Sequence, residues 1–187
     1  IKSLLFITYL ILFSFNSISQ NKERKFKIHT LAFYNLENLF DTINDVNKND
    51  EASPIMEIKF NRSGIYKQKV ANMAKVISEI GYDVTNRPPS IIGICEVENR
   101  KVVEDLISNE KLSKYNYGIV HYDSPDRRGI DVGLLYNKDI FEVVNSSSHL
   151  LYINYNNTSN RSYTRDQLVV SGKLDGELIH LIVNHWP

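Results

Sequence analysis

Two apolar runs of this chain each end in a carboxylate beside an asparagine. They are Leu31-Ala-Phe-Tyr-Asn35-Leu-Glu37-Asn38 and Ile91-Ile-Gly-Ile-Cys95-Glu96-Val-Glu98-Asn99. Taking an uncompensated carboxylate out of water is costly. These acids therefore reach solvent at strand ends, or something positive meets them there. Along a strand, side chains two apart share a face, which groups Asn35 with Glu37 and Glu96 with Glu98. If the two runs are neighbours, Asn35 or Glu37 meets Glu96 at their common rim. Such oxygen donors suit magnesium, which keeps several waters and is usually held by one or two carboxylates plus substrate phosphate; manganese or calcium could take its place. Solvated strand termini would show the same pattern, so at this level both readings stand.

Other residues could handle an anion. The turn Asp123–Asp131 carries Arg127 and Arg128, and Thr164-Arg165-Asp166 offers a second guanidinium. Arg binds phosphate oxygens bidentately where Lys acts as a point charge. Each of these Arg residues could equally be an ion-paired surface group, and Asp131 could be the partner of one of them. The histidines are His29, His121, His149, His180 and His185. None has another His or Cys95 at zinc-ligand spacing. His29, His149 and His180 fall inside strand-like runs, His121 is open to either reading, and His185 closes the final apolar run. A nucleophile elbow, a phosphate-cradling glycine loop and a Cys-His signature are all missing. Cys95, inside an apolar run, reads as a buried inert thiol.

The elements that would position these groups follow from periodicity. Phe26–Asn35 reads as a first strand, and the Asn/Asp-rich stretch 41–54 as a surface loop. Tyr66, Val70, Met73, Ile77 and Ile80 form the stripe of an amphipathic helix, with Gly81 at its left-handed cap. Pro88-Pro89 launches a strand Ser90–Glu96, and Asn99 caps a short helix that turns Val102, Val103, Leu106 and Ile107 inward. Strands are expected at Tyr117–Tyr122, Ile130–Tyr136, Phe141–Tyr152, Gln167–Leu174 and Leu178–Asn184. Asp175-Gly176 is a hairpin turn, and Asn154–Asn160 reads as an exposed loop. This order predicts a layered α/β sandwich with mixed, largely antiparallel sheets.

Lys+Arg and Asp+Glu both number 22, so there is no chain-wide basic footprint and any phosphate recognition must be local. Residues 1–19 have the layout of a secretory signal peptide: Lys2, an apolar stretch to Phe15, then small residues at Ser17 and Ser19. A secreted or periplasmic protein follows, monomeric and without stable membrane association once the leader is removed.

Four motifs occur in register: Tyr34-Asn-Leu-Glu-Asn-Leu-Phe-Asp41, Ile94-Cys-Glu-Val-Glu-Asn99, His121 to Tyr136, and Asn184-His-Trp-Pro187. Together they resemble the endonuclease/exonuclease/phosphatase superfamily, in particular its secreted bacterial members. The resemblance implies that residues 20–187 are the N-terminal part of such a domain, with Glu96 as principal metal ligand. It implies that Asn35 orders the metal and phosphate network, that Glu37 is a second metal-associated acid, and that His185 contacts the scissile phosphate. Arg128 and Arg165 are then candidates for substrate phosphate. The superfamily's Asp-x-Asn motif and terminal Asp-His pair have no counterpart here and are expected beyond Pro187, so the chain is expected to be an incomplete domain and a weak catalyst. The implied activity is metal-dependent phosphodiester hydrolysis with a nucleic-acid substrate. The alternatives are a phosphatase or lipid phosphodiesterase, or a non-catalytic module if the chain truly ends at Pro187.

Overall fold

A computed structural model describes residues 26–155 and 158–187; the expected leader, residues 1–19, lies outside the described residues. The chain runs β1 (Leu31–Leu39), α1 (Pro54–Glu57), α2 (Arg62–Glu79), α3 (Tyr82–Thr85), β2 (Ile91–Val97), α4 (Arg100–Ser108), β3 (Tyr117–His121) and β4 (Asp131–Asn137). It continues through β5 (Phe141–His149), β6 (Ile153–Asn154), β7 (Arg161–Ser162), β8 (Gln167–Leu174) and β9 (Glu177–Val183). One sheet has the order β1-β2-β4-β3, a second β5-β8-β9, and β6-β7 form a small ribbon. Among the described residues only β1 and β2 pair in parallel; the other ladders are antiparallel. This is the expected layered α/β sandwich with mixed sheets.

β2 explains the layering. Ile92, Ile94 and Val97 pack with Val70, Ala74 and Ile77 of α2 and Val102, Val103 and Leu106 of α4. On its other face Ile91 and Cys95 pack with Phe141, Leu168, Val170 and Val183 of the second sheet. A strand covered on both faces reads as an unbroken apolar run rather than an alternation, which is what residues 91–95 show. Each of the largest of these side chains is worth about 1.5–3 kcal/mol of burial. Together they make the β2 rim a rigid platform.

Local signals set the boundaries. Gly81 ends α2 at φ +66°, where a residue without Cβ bears no steric penalty. Asn99 Oδ1 accepts the Val102 amide at 3.1 Å and so caps α4. Asp175 and Gly176 have φ of 50° and 92°, the left-handed pair that a two-residue hairpin needs.

Some boundaries differ from expectation. β1 begins at Leu31 rather than Phe26. Its only ladder partner is β2, and Pro88-Pro89 before β2 offers no amide to extend the pairing. β5 stops at His149, and two residues on Leu151 N donates to the Asp166 carboxylate at 3.3 Å instead of to a neighbouring strand. Ile153–Asn154 and Arg161–Ser162, expected inside or beside a loop, form a ribbon too short for a periodic signal.

Candidate active site

Glu96 leaves both of its ladders. Against β1, Asn35 pairs with Cys95 and Leu39 with Val97; against β4, Cys95 pairs with Val132 and Val97 with Asp131. Glu96 therefore stands opposite a bulge of Leu36, Glu37 and Asn38 on one side and has no β4 residue opposite it on the other. Glu37, Asn38 and Glu96 all have positive φ, at 50°, 57° and 58°. Non-glycine residues rarely adopt this region, and bulges of this kind re-aim side chains beside functional sites. Leu36 and Leu39, both fully buried, hold the bulge in place.

The bulge delivers donors to one carboxylate. Asn35 Nδ2 donates to Glu96 Oε1 at 2.9 Å, and the Asn38 amide donates to Oε2 at 2.9 Å. Asn35 Oδ1 accepts the Glu37 amide at 2.7 Å, so the amide orientation of Asn35 is dictated by a backbone N–H. Lys69 Nζ, from α2, donates to the carbonyls of Glu37 and Asn38 and ties the bulge to the helix. Burial lowers the Lys69 pKa, against the opposing pull of Glu37 and Glu96.

His185 completes the group. Its Nε2 lies 3.4 Å from Glu96 Oε1, long for a hydrogen bond. Burial, and then the neighbouring Arg165, lower its pKa, while Glu96 opposes them. A neutral ring with Nε2–H toward Glu96 leaves Nδ1 as an acceptor, and Nδ1 is buried without a partner among the described residues. Arg165 fixes the backbone here: Nε donates to the His185 carbonyl at 3.1 Å and an Nη to the Trp186 carbonyl at 2.8 Å. Its other Nη meets Asp126 Oδ2 at 3.3 Å inside the protein. Asp126 Oδ1 accepts the Arg128 amide at 2.9 Å and faces Arg128 Nε at 3.4 Å. The Arg128 side chain remains 53% exposed.

Glu96, Asn35 and His185 thus meet at one rim, with Arg165 bonded to the His185 carbonyl and Arg128 joined to Arg165 through Asp126. Two geometric expectations are corrected. Asn35 and Glu37 do not act as an alternating pair, because the bulge breaks period two: Glu37 is exposed and its carboxylate takes no hydrogen bond among the described residues. Glu96 and Glu98 also part company. Glu98 accepts the Asp41 amide at 2.6 Å and lines a different cavity. Burial, with help from Asp41, Asp50 and Asp45, pushes the Glu98 carboxyl up to about 7. Arg165, expected to bind substrate phosphate, is buried and committed to chain acceptors; this placement makes it a brace. Asp131 pairs with His121 Nε2 at 3.1 Å rather than with an Arg. His29 precedes β1 instead of lying in a strand, and joins Ser90 and Asp175.

Lys69 and Asp126 were missed by sequence reasoning. Lys69 sits three residues after Tyr66 and four before Met73, on the apolar stripe itself; a charge in that phase was the available signal. Asp126 lies in a charged turn, and nothing in the sequence separates it from its neighbours.

Residues 30–187 match the model of the Endonuclease/Exonuclease/phosphatase family, and the chain belongs to that family, whose members are phosphoester hydrolases. No curated protein matches significantly. Among solved structures, an endonuclease/exonuclease/phosphatase from Bacteroides vulgatus is 16% identical, with 81% of this chain and 49% of that one covered and a TM-score of 0.46. A family protein from Bacteroides thetaiotaomicron is 14% identical over 81% and 48%, with a TM-score of 0.46. A mannosyl-6-phosphatase of Bacteroides thetaiotaomicron VPI-5482 is 14% identical over 81% and 49%, with a TM-score of 0.44. The chain spans about half the length of these proteins.

Proposed function

We propose that this chain carries part of the active site of a secreted, metal-dependent phosphodiesterase acting on nucleic acid. The observation that carries this reading is the Glu96 carboxylate, re-aimed by a left-handed bulge and held by Asn35 Nδ2 and the Asn38 amide beside His185 Nε2.

The donor set fits a hard divalent cation. An ionised carboxylate offers about four lone-pair sites, and Glu96 spends one on each of Asn35 and Asn38. Glu96 would hold the ion, with Glu37 at the exposed rim as a second acid and substrate phosphate and water completing the shell, as magnesium prefers. When bound, the cation supplies Lewis-acid stabilisation of charge on the phosphate and the departing oxygen. Asn35 acts by positioning: it presents N–H to Glu96 and so fixes the carboxylate plane. His185, neutral at physiological pH, donates Nε2–H to a phosphate oxygen. The exposed guanidinium of Arg128 takes a second oxygen, and Arg165 fixes the His185–Trp186 backbone on which that geometry depends.

One observation favours nucleic acid over a small phosphomonoester or a lipid. The Arg161 guanidinium lies 4.6 Å from the Tyr163 ring centre and 5.4 Å from that of Tyr152, and Arg127 lies 5.6 Å from Tyr163. Tyr152, Tyr155, Tyr163 and Trp186 are exposed. Aromatic faces interleaved with arginine are a sequence-tolerant platform for stacked bases and backbone phosphates, which suits a chain of zero net charge. The second reading, a phosphatase or lipid phosphodiesterase on the same scaffold, is separated by assay. Metal-stripped protein reloaded with magnesium is presented with plasmid DNA, a phosphomonoester and sphingomyelin. Nicking of the plasmid that disappears in Glu96→Gln supports the proposal. Turnover of the phosphomonoester or sphingomyelin without nicking overturns the nucleic-acid assignment.

A further inference from the structure

We infer that the chain holds a second, structural divalent cation of the calcium type in the cavity between loop 41–54 and the segment leading into β4. This cavity, of about 90 Å³, is lined by Asp45, Asp50, Glu98, Asp123 and Asp131, and by none of Glu96, Asn35 or His185. A water molecule occupies about 30 Å³ in the liquid, so the space admits an ion with a few waters.

The charge balance there is one-sided. Among the described residues the only basic one lining the cavity is Lys48, and its ammonium goes to the carbonyls of Ser124 at 3.0 Å and Asp126 at 3.5 Å. Among the described residues Lys48 forms no ion pair with a carboxylate. Asp50 is the decisive group. It is 1% exposed, its Oδ2 accepts the Asp45 amide at 2.8 Å, and its Oδ1 is buried with no donor among the described residues. A buried carboxylate oxygen without a partner forfeits its hydration for nothing. A cation in the cavity that Asp50 lines removes that cost.

Two of the lining acids, Asp123 and Asp131, are already gathered with His121. Ligand atoms of His121, Asp123 and Asp131 lie within 4.8 Å of one another. Asp131 is also held by the Ser124 amide at 2.8 Å. His121 is engaged with Asp131 and does not line the cavity, so the titratable ligands that do line it are the carboxylates of Asp45, Asp50, Glu98, Asp123 and Asp131. Calcium accepts six to eight oxygens in irregular arrangements, whereas magnesium demands a near-octahedral shell. Walls from separate segments, with waters between them, match the first of these ions.

Such an ion would pin two segments together. Asn49 N already donates to the Arg127 carbonyl at 2.8 Å, and the segment so anchored carries Asp126, which holds Arg165. The ion would therefore order the brace behind His185 without touching substrate.

The test is calcium titration calorimetry, with thermal melting, on metal-stripped protein carrying Glu96→Gln, so that the rim acid cannot contribute. One calcium per chain and a rise in melting temperature are expected. Adding Asp50→Asn should weaken uptake at least tenfold and abolish the rise. If that variant lacks a native circular dichroism spectrum, Glu98→Gln serves in its place. No uptake by the Glu96→Gln protein, calcium affinity unchanged by the cavity substitution, or tighter binding of magnesium than calcium would overturn the inference. None of these readouts depends on hydrolysis, so the phosphodiesterase reading stands or falls separately.

Discussion

Asn35 Nδ2 donates to Glu96 Oε1 at 2.9 Å across the parallel β1–β2 pair. Asn35 itself is locked by accepting the Glu37 amide, so its donor can point nowhere else. The local strain of three left-handed residues, about 1–3 kcal/mol each, is maintained by the apolar residues buried on either side.

That relation predicts an indirect role. Asn35→Ala should reduce hydrolysis by about 10–100-fold, the usual cost of losing a group that orients a metal ligand. Magnesium affinity measured by calorimetry should fall in parallel. Equal magnesium affinity in wild type and variant would remove Asn35 from the account.

Arg165 and Asp126 are buried together, with side chains 6% and 4% exposed. Removing one charge of a buried pair costs about 3–5 kcal/mol when the other is stranded; Asp126 keeps its contact with Arg128, which places the cost toward the lower end of that range. Arg165→Ala should lower the urea midpoint by the corresponding amount. A loss under 1 kcal/mol would show that the pair is solvated in solution and is no brace.

Cys95 is fully buried, and burial, with a smaller contribution from Glu96, pushes its thiol up to about 11 from an ordinary 9.0. The raised folded-state value means that its contribution to stability is complete below about pH 9 and is lost as pH rises through about 11. Native protein should resist iodoacetamide at pH 8 and react stoichiometrically in urea. Rapid native alkylation would contradict the packing of β2.

Asn99 caps α4. Asn99→Ala should cost about 1 kcal/mol in chemical denaturation and leave magnesium affinity unchanged.

The sheets and the long helices were legible because their signals are local and redundant: the doubly buried run 91–95, the stripe from Tyr66 to Ile80, and the Asp175-Gly176 turn. The meeting of Glu96 with Asn35 and His185 could be anticipated from strand ends and from the motif resemblance. The bulge could not, since nothing in Asn35-Leu-Glu-Asn distinguishes a continuing strand from three residues facing one. Its consequences were hidden with it: Glu37 turned to solvent, Glu98 sent to another cavity, and Lys69 drawn from the helix to the bulge carbonyls. The burial of Arg165 was also invisible, because its acceptors are two backbone carbonyls and the Asp126 carboxylate, all twenty or more residues away.

The most direct test of the account is single-turnover hydrolysis of plasmid DNA by the Glu96→Gln protein at saturating magnesium. Gln keeps the size of Glu and one of the two oxygens that accept from Asn35 Nδ2 and the Asn38 amide, so the circular dichroism spectrum should stay native and the melting temperature should fall modestly, by about the loss of one hydrogen bond. The rate should drop by on the order of a hundredfold or more, about 3 kcal/mol of lost charge stabilisation. An unchanged rate in a natively folded variant would contradict the account.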